Sequence, residues 1–206
     1  MVYHTESSTQ KDLWATNKDL NVLRQSLLDL FCQLAYQEGD FVLSSGARSS
    51  YYINGKQVTL HPQGALAIGR LLLDMLPSDT QAVAGLTLGA DPIVSAVSVV
   101  SALENRLIPA LIVRKEAKGH GTKAYIEGPS LSEAAKVIVL EDVVTTGQSA
   151  MKAVTRLREA GYTVNQVISL IDRQQGGAEY YKSVNLQFKA VFSITDIQER
   201  YQNISK

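Results

Sequence analysis

Val137-Ile138-Val139-Leu140-Glu141-Asp142-Val143-Val144-Thr145-Thr146-Gly147-Gln148-Ser149 is the stretch on which the fold turns. Val137 to Leu140 is an unbroken aliphatic run, the composition of a strand buried on both faces. From about Gln148 to Ala160, apolar residues recur at 150, 153, 154, 157 and 160, one stripe of a helix that Gly161 ends. Between them lie two carboxylates and a small, hydroxyl-rich turn. The N–H groups of such a turn, together with the positive end of the helix dipole, form an anion site suited to a phosphate. Thr145, Thr146 and Ser149 add hydroxyl donors. The chain contains neither Gly-x4-Gly-Lys-Ser/Thr nor Gly-x-Gly-x-x-Gly, so the two commonest nucleotide fingerprints are absent. Adjacent acids ahead of a phosphate cradle would repel its ligand unless they engaged ribose hydroxyls or a metal. The plainer alternative is an ordinary acidic helix start.

The same alternation continues on both sides. Upstream, the spacing predicts a helix from Leu20 closing near Gly39, with apolar positions at 20, 23, 27, 30, 31 and 34. Short strands follow at Asp40 to Leu43 and Ser50 to Ile53, then a helix over Gly64 to Leu76 stopped by Pro77. Ala82 to Thr87 reads as a strand, followed by a helix capped by Asp91 with Pro92 in its first turn. Leu107 to Val113 is the next strand. Downstream, strands are expected at Val164 to Ile171 and Phe188 to Ile194, and Thr195 with Gln198 forms a capping-box pattern for a last helix. Buried runs alternating with amphipathic helices make an α/β fold, a mostly parallel twisted sheet flanked by helices. Ligands in such sheets bind beyond the carboxyl ends of the strands, which selects residues 86–91, 114–123, 141–149 and 172–177.

Two of those segments carry charge suited to chemistry. Arg114-Lys115-Glu116-Ala117-Lys118-Gly119-His120-Gly121, with Lys123 behind it, gathers cations between glycines. Such a loop can close over a leaving group whose negative charge grows, although a solvated basic loop or an RNA contact has the same composition. Asp172-Arg173-Gln174-Gln175-Gly176-Gly177 presents an arginine fork suited to a planar carboxylate, or merely a surface arginine.

Composition narrows the classes. With 206 residues, 20 Lys+Arg and 20 Asp+Glu, the formal net charge is +0, which argues against wholesale attraction to nucleic acid or anionic membrane. At 45% hydrophobic and 19% charged residues the chain is globular. Cys32 is the single cysteine, so no internal disulfide forms, and its place on an apolar helix face predicts a buried, inert thiol. Residues 1–18 lack periodicity and are expected to form a mobile arm, leaving one domain over 19–206. The polar first twenty residues suggest a cytoplasmic location. Ala82 to Leu103 is apolar, yet Asp91-Pro92 and two glycines interrupt it, against a membrane span.

The acid pair followed by Thr-Thr-Gly-Gln-Ser resembles the phosphoribosyl-diphosphate (PRPP) signature of the type I phosphoribosyltransferases, and Arg114 to Gly121 is similar to the loop of the orotate branch. Phe41 to Asn54, with Ser44-Ser45-Gly46 and Tyr51-Tyr52, resembles that branch's hood over the base, which 19–60 would form. The resemblance spans residues 41–177 and implies an enzyme, a pentosyltransferase converting orotate and PRPP to orotidine 5′-phosphate and diphosphate in de novo pyrimidine synthesis. It implies that Glu141 and Asp142 hold the ribose hydroxyls, directly or through Mg²⁺. Val143 to Ser149 (Val143, Val144, Thr145, Thr146, Gly147, Gln148 and Ser149) would bind PRPP. Arg114, Lys115, Lys118 and His120 would serve the diphosphate, with Lys118 and His120 taking part in catalysis. Thr145, Arg173 and Tyr52 would meet orotate, Tyr52 on its ring. It also implies a homodimer whose loop 114–123 crosses to the neighbouring site. Ser44 and Gly89 depart from the lysines many members carry, so those two contacts do not carry over. A transferase for another base, or a PRPP-sensing or RNA-binding regulator without activity, are the alternatives.

Overall fold

The computed structural model describes residues 13–42, 46, 48–117 and 125–204. A short 3-10 turn, Trp14–Thr16, precedes α1 (Leu20–Leu34), the antiparallel hairpin β1 (Tyr36–Val42) and β2 (Arg48–Ile53), α2 (Lys56–Thr59) and α3 (Pro62–Met75). Then come β3 (Ala82–Leu86), α4 (Asp91–Leu103), β4 (Ala110–Val113), β5 (Ile126–Glu127), β6 (Val137–Val144), α5 (Gln148–Glu159), β7 (Gln166–Asp172), α6 (Gly177–Ser183), β8 (Gln187–Ser193) and α7 (Ile194–Ile204).

Six strands form one sheet in the order β5-β4-β3-β6-β7-β8, parallel except for β5 at the edge. The expected parallel α/β sheet is therefore borne out. Alternate strand residues supply two cores. Ile138, Leu140 and Ile168 pack with α1, α3, α4 and α7 on one face, and Val137, Val139 and Val167 pack with α5 and α6 on the other. From β3 the chain moves to β4 on one side, and β6 then lands on the other. The carboxyl ends of β3 and β6 consequently flank the point where strand order reverses, the crevice in which such sheets bind ligands.

Several boundaries differ from the sequence expectation, each for a tertiary reason. The first helix ends at Leu34 rather than near Gly39, because Tyr36, Gln37 and Glu38 pair with Ile53, Tyr52 and Tyr51. The strand bearing the acids runs on to Val144, since Glu141 pairs with Ser169 and Val144 with Asp172. Ala90, not Asp91, occupies the cap of α4, and Asp91 Oδ2 accepts the Thr87 hydroxyl at 2.7 Å. The final capping box is Ser193 with Asp196: each backbone N–H donates to the other's side chain, at 2.7 and 3.1 Å. Of the expected arm, residues 13–17 are docked rather than mobile. Ala15 is buried, its N–H donates to Gln63, and Arg70 donates to the carbonyls of Ala15 and Asn17. Residues 1–12 lie outside the described residues. Cys32 is buried as expected, and burial pushes its thiol up to about 11.

Candidate active site

The crevice is built from the ends of β3, β6 and β7. Glu141 is buried in the second half of β6, and its Oε2 has no hydrogen-bond partner among the described residues. Burial pushes its carboxyl well above the usual carboxylate range, and the neighbouring Asp142 charge adds to the rise. Asp142 accepts the Val143 N–H at 2.9 Å and lies 3.7 Å from the Lys56 ammonium of α2. The β3–α4 turn comes so close that a Cβ at Gly89 would stand 2.8 Å from Asp142 Oδ1, well inside contact distance. A side chain at position 89 would therefore require the Asp142 carboxylate to shift.

Beyond the acids, residues 143–150 curl around a cavity of about 70 Å³ that Glu141 and Tyr181 complete. Gly147, the cap of α5, has φ +82, the left-handed region. The Tyr181 hydroxyl donates to its carbonyl at 3.1 Å, and a Cβ there would strike the Tyr181 ring at 2.9 Å. The turn is thus held from α6 with the N-terminus of α5 at the cavity, an arrangement suited to a phosphate. Thr145, Thr146, Gln148 and Ser149, named from sequence, all line it.

Arg173 follows β7, and its N–H donates to the Val144 carbonyl at 2.9 Å, tying it to the phosphate turn. Its Nε donates to the Tyr51 hydroxyl at 3.0 Å, and its guanidinium carbon lies 4.8 Å from the Tyr51 ring centre. The hood therefore meets the arginine through Tyr51, which is buried and stacked on Tyr36. Tyr52, the aromatic expected on the base, is 43% exposed on the other side of the strand and packs on Phe41.

The cationic loop is described only at its two ends. Lys118, His120 and Lys123 lie outside the described residues, as does Ser44. At the near end Arg114 pairs with Glu127 at 3.0 Å, so its charge is already engaged. Arg156 of α5 donates to the carbonyls of Arg114 and Lys115 and lies 4.1 Å from the Tyr125 ring, which starts the far end. Lys56, Tyr51 and Arg156 escape sequence reasoning, since a lysine opening a one-turn helix, a strand tyrosine and a helix arginine have ordinary surface roles. Of the three, Tyr51 lies within the Phe41–Asn54 motif. Among the described residues no group of three or more His, Cys, Asp and Glu could hold a metal ion, and no helix is long and apolar enough to cross a membrane.

The uracil phosphoribosyltransferase family profile matches residues 90–198, the part of the chain after the hood and β3. The orotate phosphoribosyltransferase of a Nostoc species is 77% identical over 204 residues, 99% of each chain. Among solved structures, that of Mycobacterium tuberculosis orotate phosphoribosyltransferase with Fe(III) dicitrate has a TM-score of 0.76 at 36% identity, covering 85% of this chain and 98% of that one. The same enzyme with PRPP has a TM-score of 0.72 at 33% identity, covering 85% and 99%. With a full-length relative at 77% identity, the chain belongs to the orotate phosphoribosyltransferase family.

Proposed function

We propose that this protein transfers the phosphoribosyl group of PRPP to N1 of orotate, giving orotidine 5′-phosphate and diphosphate in de novo pyrimidine synthesis. The observation that carries the proposal is the convergence, at the strand-order reversal, of an acid pair, a locked phosphate turn and an arginine held out by the hood. In the reaction the C1′–oxygen bond breaks with its electron pair leaving on diphosphate, while N1 of orotate gives up its proton, which passes to the departing diphosphate or to water, and supplies the pair that forms the new N1–C1′ bond. C1′ becomes oxocarbenium-like in between. The protein therefore needs to align two reactants and stabilise shifting charge.

Residues 145–149 bind the 5′-phosphate, and Glu141 and Asp142 take the ribose hydroxyls. The unpartnered Glu141 Oε2 supports this, because a buried polar atom without a partner is satisfied by what binds there. Arg173 forks the orotate carboxylate beside Thr145, and Tyr51 fixes the arginine while Tyr52 and Phe41 form the hood's outer pair. Lys115, with Arg114, Lys118 and His120, serves the diphosphate. Two carboxylates without a third ligand fit Mg²⁺ bound mainly through substrate oxygens, with Asp142 reaching it through water. Mg²⁺ bound there would neutralise diphosphate charge.

A homodimer belongs to the proposal. Leu60, Leu66, Ala96, Val99 and Leu103 line an apolar groove of about 420 Å³ across α2, α3 and α4, with Leu60, Val99 and Leu103 exposed. A face of that kind suits a second copy, whose loop 114–123 would then serve the neighbouring site. Balanced charge supports a protein that binds neither nucleic acid nor anionic membrane.

The uracil profile raises a second base. Uracil lacks the carboxylate that Arg173 would fork, so orotate is preferred. The test is loss of orotate absorbance with PRPP and Mg²⁺, beside the same assay with uracil. Rapid loss of orotate and slow uracil turnover are expected. Equal turnover would overturn the base assignment, and PRPP binding without any turnover would favour a regulator.

A further inference from the structure

The β3–α4 turn that closes on Asp142 is Thr87-Leu88-Gly89-Ala90-Asp91 and carries no cation. A Cβ at Gly89 would stand 2.8 Å from Asp142 Oδ1, so the turn itself lies against that carboxylate. Arg173 meets Tyr51 and Arg114 meets Glu127, and neither pair involves Glu141 or Asp142. Among the described residues, the cation that contacts the acid pair is Lys56. Its backbone N–H donates to Asn54 Oδ1 at 3.3 Å, buried Val58 anchors its turn, and the space a Cβ at Gly55 would enter is bounded by Val143 and Asp142, 3.6 and 3.8 Å away. The ammonium lies 3.7 Å from Asp142 Oδ2, with the Lys56 side chain 42% exposed and that of Asp142 14%.

We propose that Lys56 is a further catalytic residue, whose ammonium leaves Asp142 when PRPP binds and contacts the diphosphate. The proposal rests on the phosphoribosyl-transfer function above. A pair so exposed on one partner contributes little to stability, so exchanging the carboxylate for a substrate oxygen is easy. The exchange also releases Asp142 to the ribose or to metal-bound water. As the C1′–oxygen bond breaks, its electron pair adds charge to the departing diphosphate, so the contact is stronger in the transition state than in the ground state.

The test compares the full-length protein with Lys56→Gln and Lys56→Arg, measuring kinetics and calorimetric binding of PRPP, diphosphate and orotidine 5′-phosphate, with Mg²⁺ present. Lys56→Gln should lower kcat and weaken PRPP and diphosphate tenfold or more, leaving orotidine 5′-phosphate within twofold. Lys56→Arg should recover much of the loss. Unchanged diphosphate affinity in Lys56→Gln would overturn the proposal. Equal weakening of diphosphate and orotidine 5′-phosphate would also overturn it, showing that Lys56 acts only by positioning Asp142. A wild-type protein that neither consumes orotate nor binds PRPP would instead refute the function itself, so the two failures are distinct.

Discussion

Tyr51→Phe removes one oxygen and leaves the ring, so it isolates the bond that aims Arg173. The lost interaction is a 3.0 Å hydrogen bond from a guanidinium to a buried phenol, and the 4.8 Å ring contact survives. Hydrogen bonds involving a charged partner contribute about 1.5–3 kcal/mol. Arg173 is only partly buried, and water can replace part of the bond, so the lower end applies. At about 1.4 kcal/mol per factor of ten, kcat/KM for orotate should fall roughly tenfold. The Michaelis constant for PRPP should stay within twofold, because the phosphate turn and the acids are untouched. The residual activity with uracil should hardly change, since no carboxylate is there to be forked. Tyr52→Phe, on the outer side of the hairpin, should cost under about twofold by the same reasoning. Steady-state kinetics with both bases provide the assay. A Tyr51→Phe enzyme with undiminished orotate kcat/KM, or one that loses orotate and uracil activity in parallel, would refute the idea that the hood reads the carboxylate by holding Arg173.

Glu141→Gln should raise thermal stability at neutral pH. The folded carboxyl holds its proton above the ordinary 4.5 because of burial and Asp142, so the wild type loses stability as pH rises past that value and the variant does not. Melting curves from pH 4 to 8 should show the two converging at the acid end, and a variant less stable than wild type at pH 7 would contradict the burial argument. Gly147→Ala places a Cβ at φ +82 against the Tyr181 ring. It should destabilise by about 2 kcal/mol from the left-handed strain and the contact, with weaker PRPP binding measured by calorimetry. Mixing Lys118→Ala with Asp142→Asn subunits, each nearly inactive alone, should restore activity approaching half of wild type per heterodimer, since one site then pairs intact acids with an intact loop from the neighbour. No recovery after confirmed subunit exchange would reject the shared loop.

What the sequence discloses here is what is local. A buried strand, an acid pair, a hydroxyl turn and an amphipathic helix follow one another between residues 137 and 160, and their order suffices to identify the phosphate end of the crevice. The turns at α2 and α6 span 4 and 7 residues, too short for a helical period to register. Thr195 with Gln198 and Ser193 with Asp196 both fit a capping box. The choice falls to the second because β8 remains paired to β7 up to Ser193, opposite Asp172.

The base end of the crevice is long-range, and there the sequence leaves the partner of Arg173 open. Tyr51 and Tyr52 are equivalent as strand residues, and alternation says only that they face opposite ways. Which of them meets Arg173, 122 residues away from Tyr51, depends on how the hairpin is seated. That seating is fixed by contacts no motif contains: Tyr51 stacks on Tyr36, Tyr36 meets Tyr201 of α7 edge-on, and the Asn54 N–H donates to the Ala35 carbonyl. The acid pair follows the same logic. Glu141 and Asp142 are equal in sequence, yet one is buried with an oxygen unpartnered while the other meets Lys56 and the Gly89 turn. The difference comes from β3, α2 and α6 converging on one strand end, so the division of labour between two neighbouring carboxylates is a property of the fold.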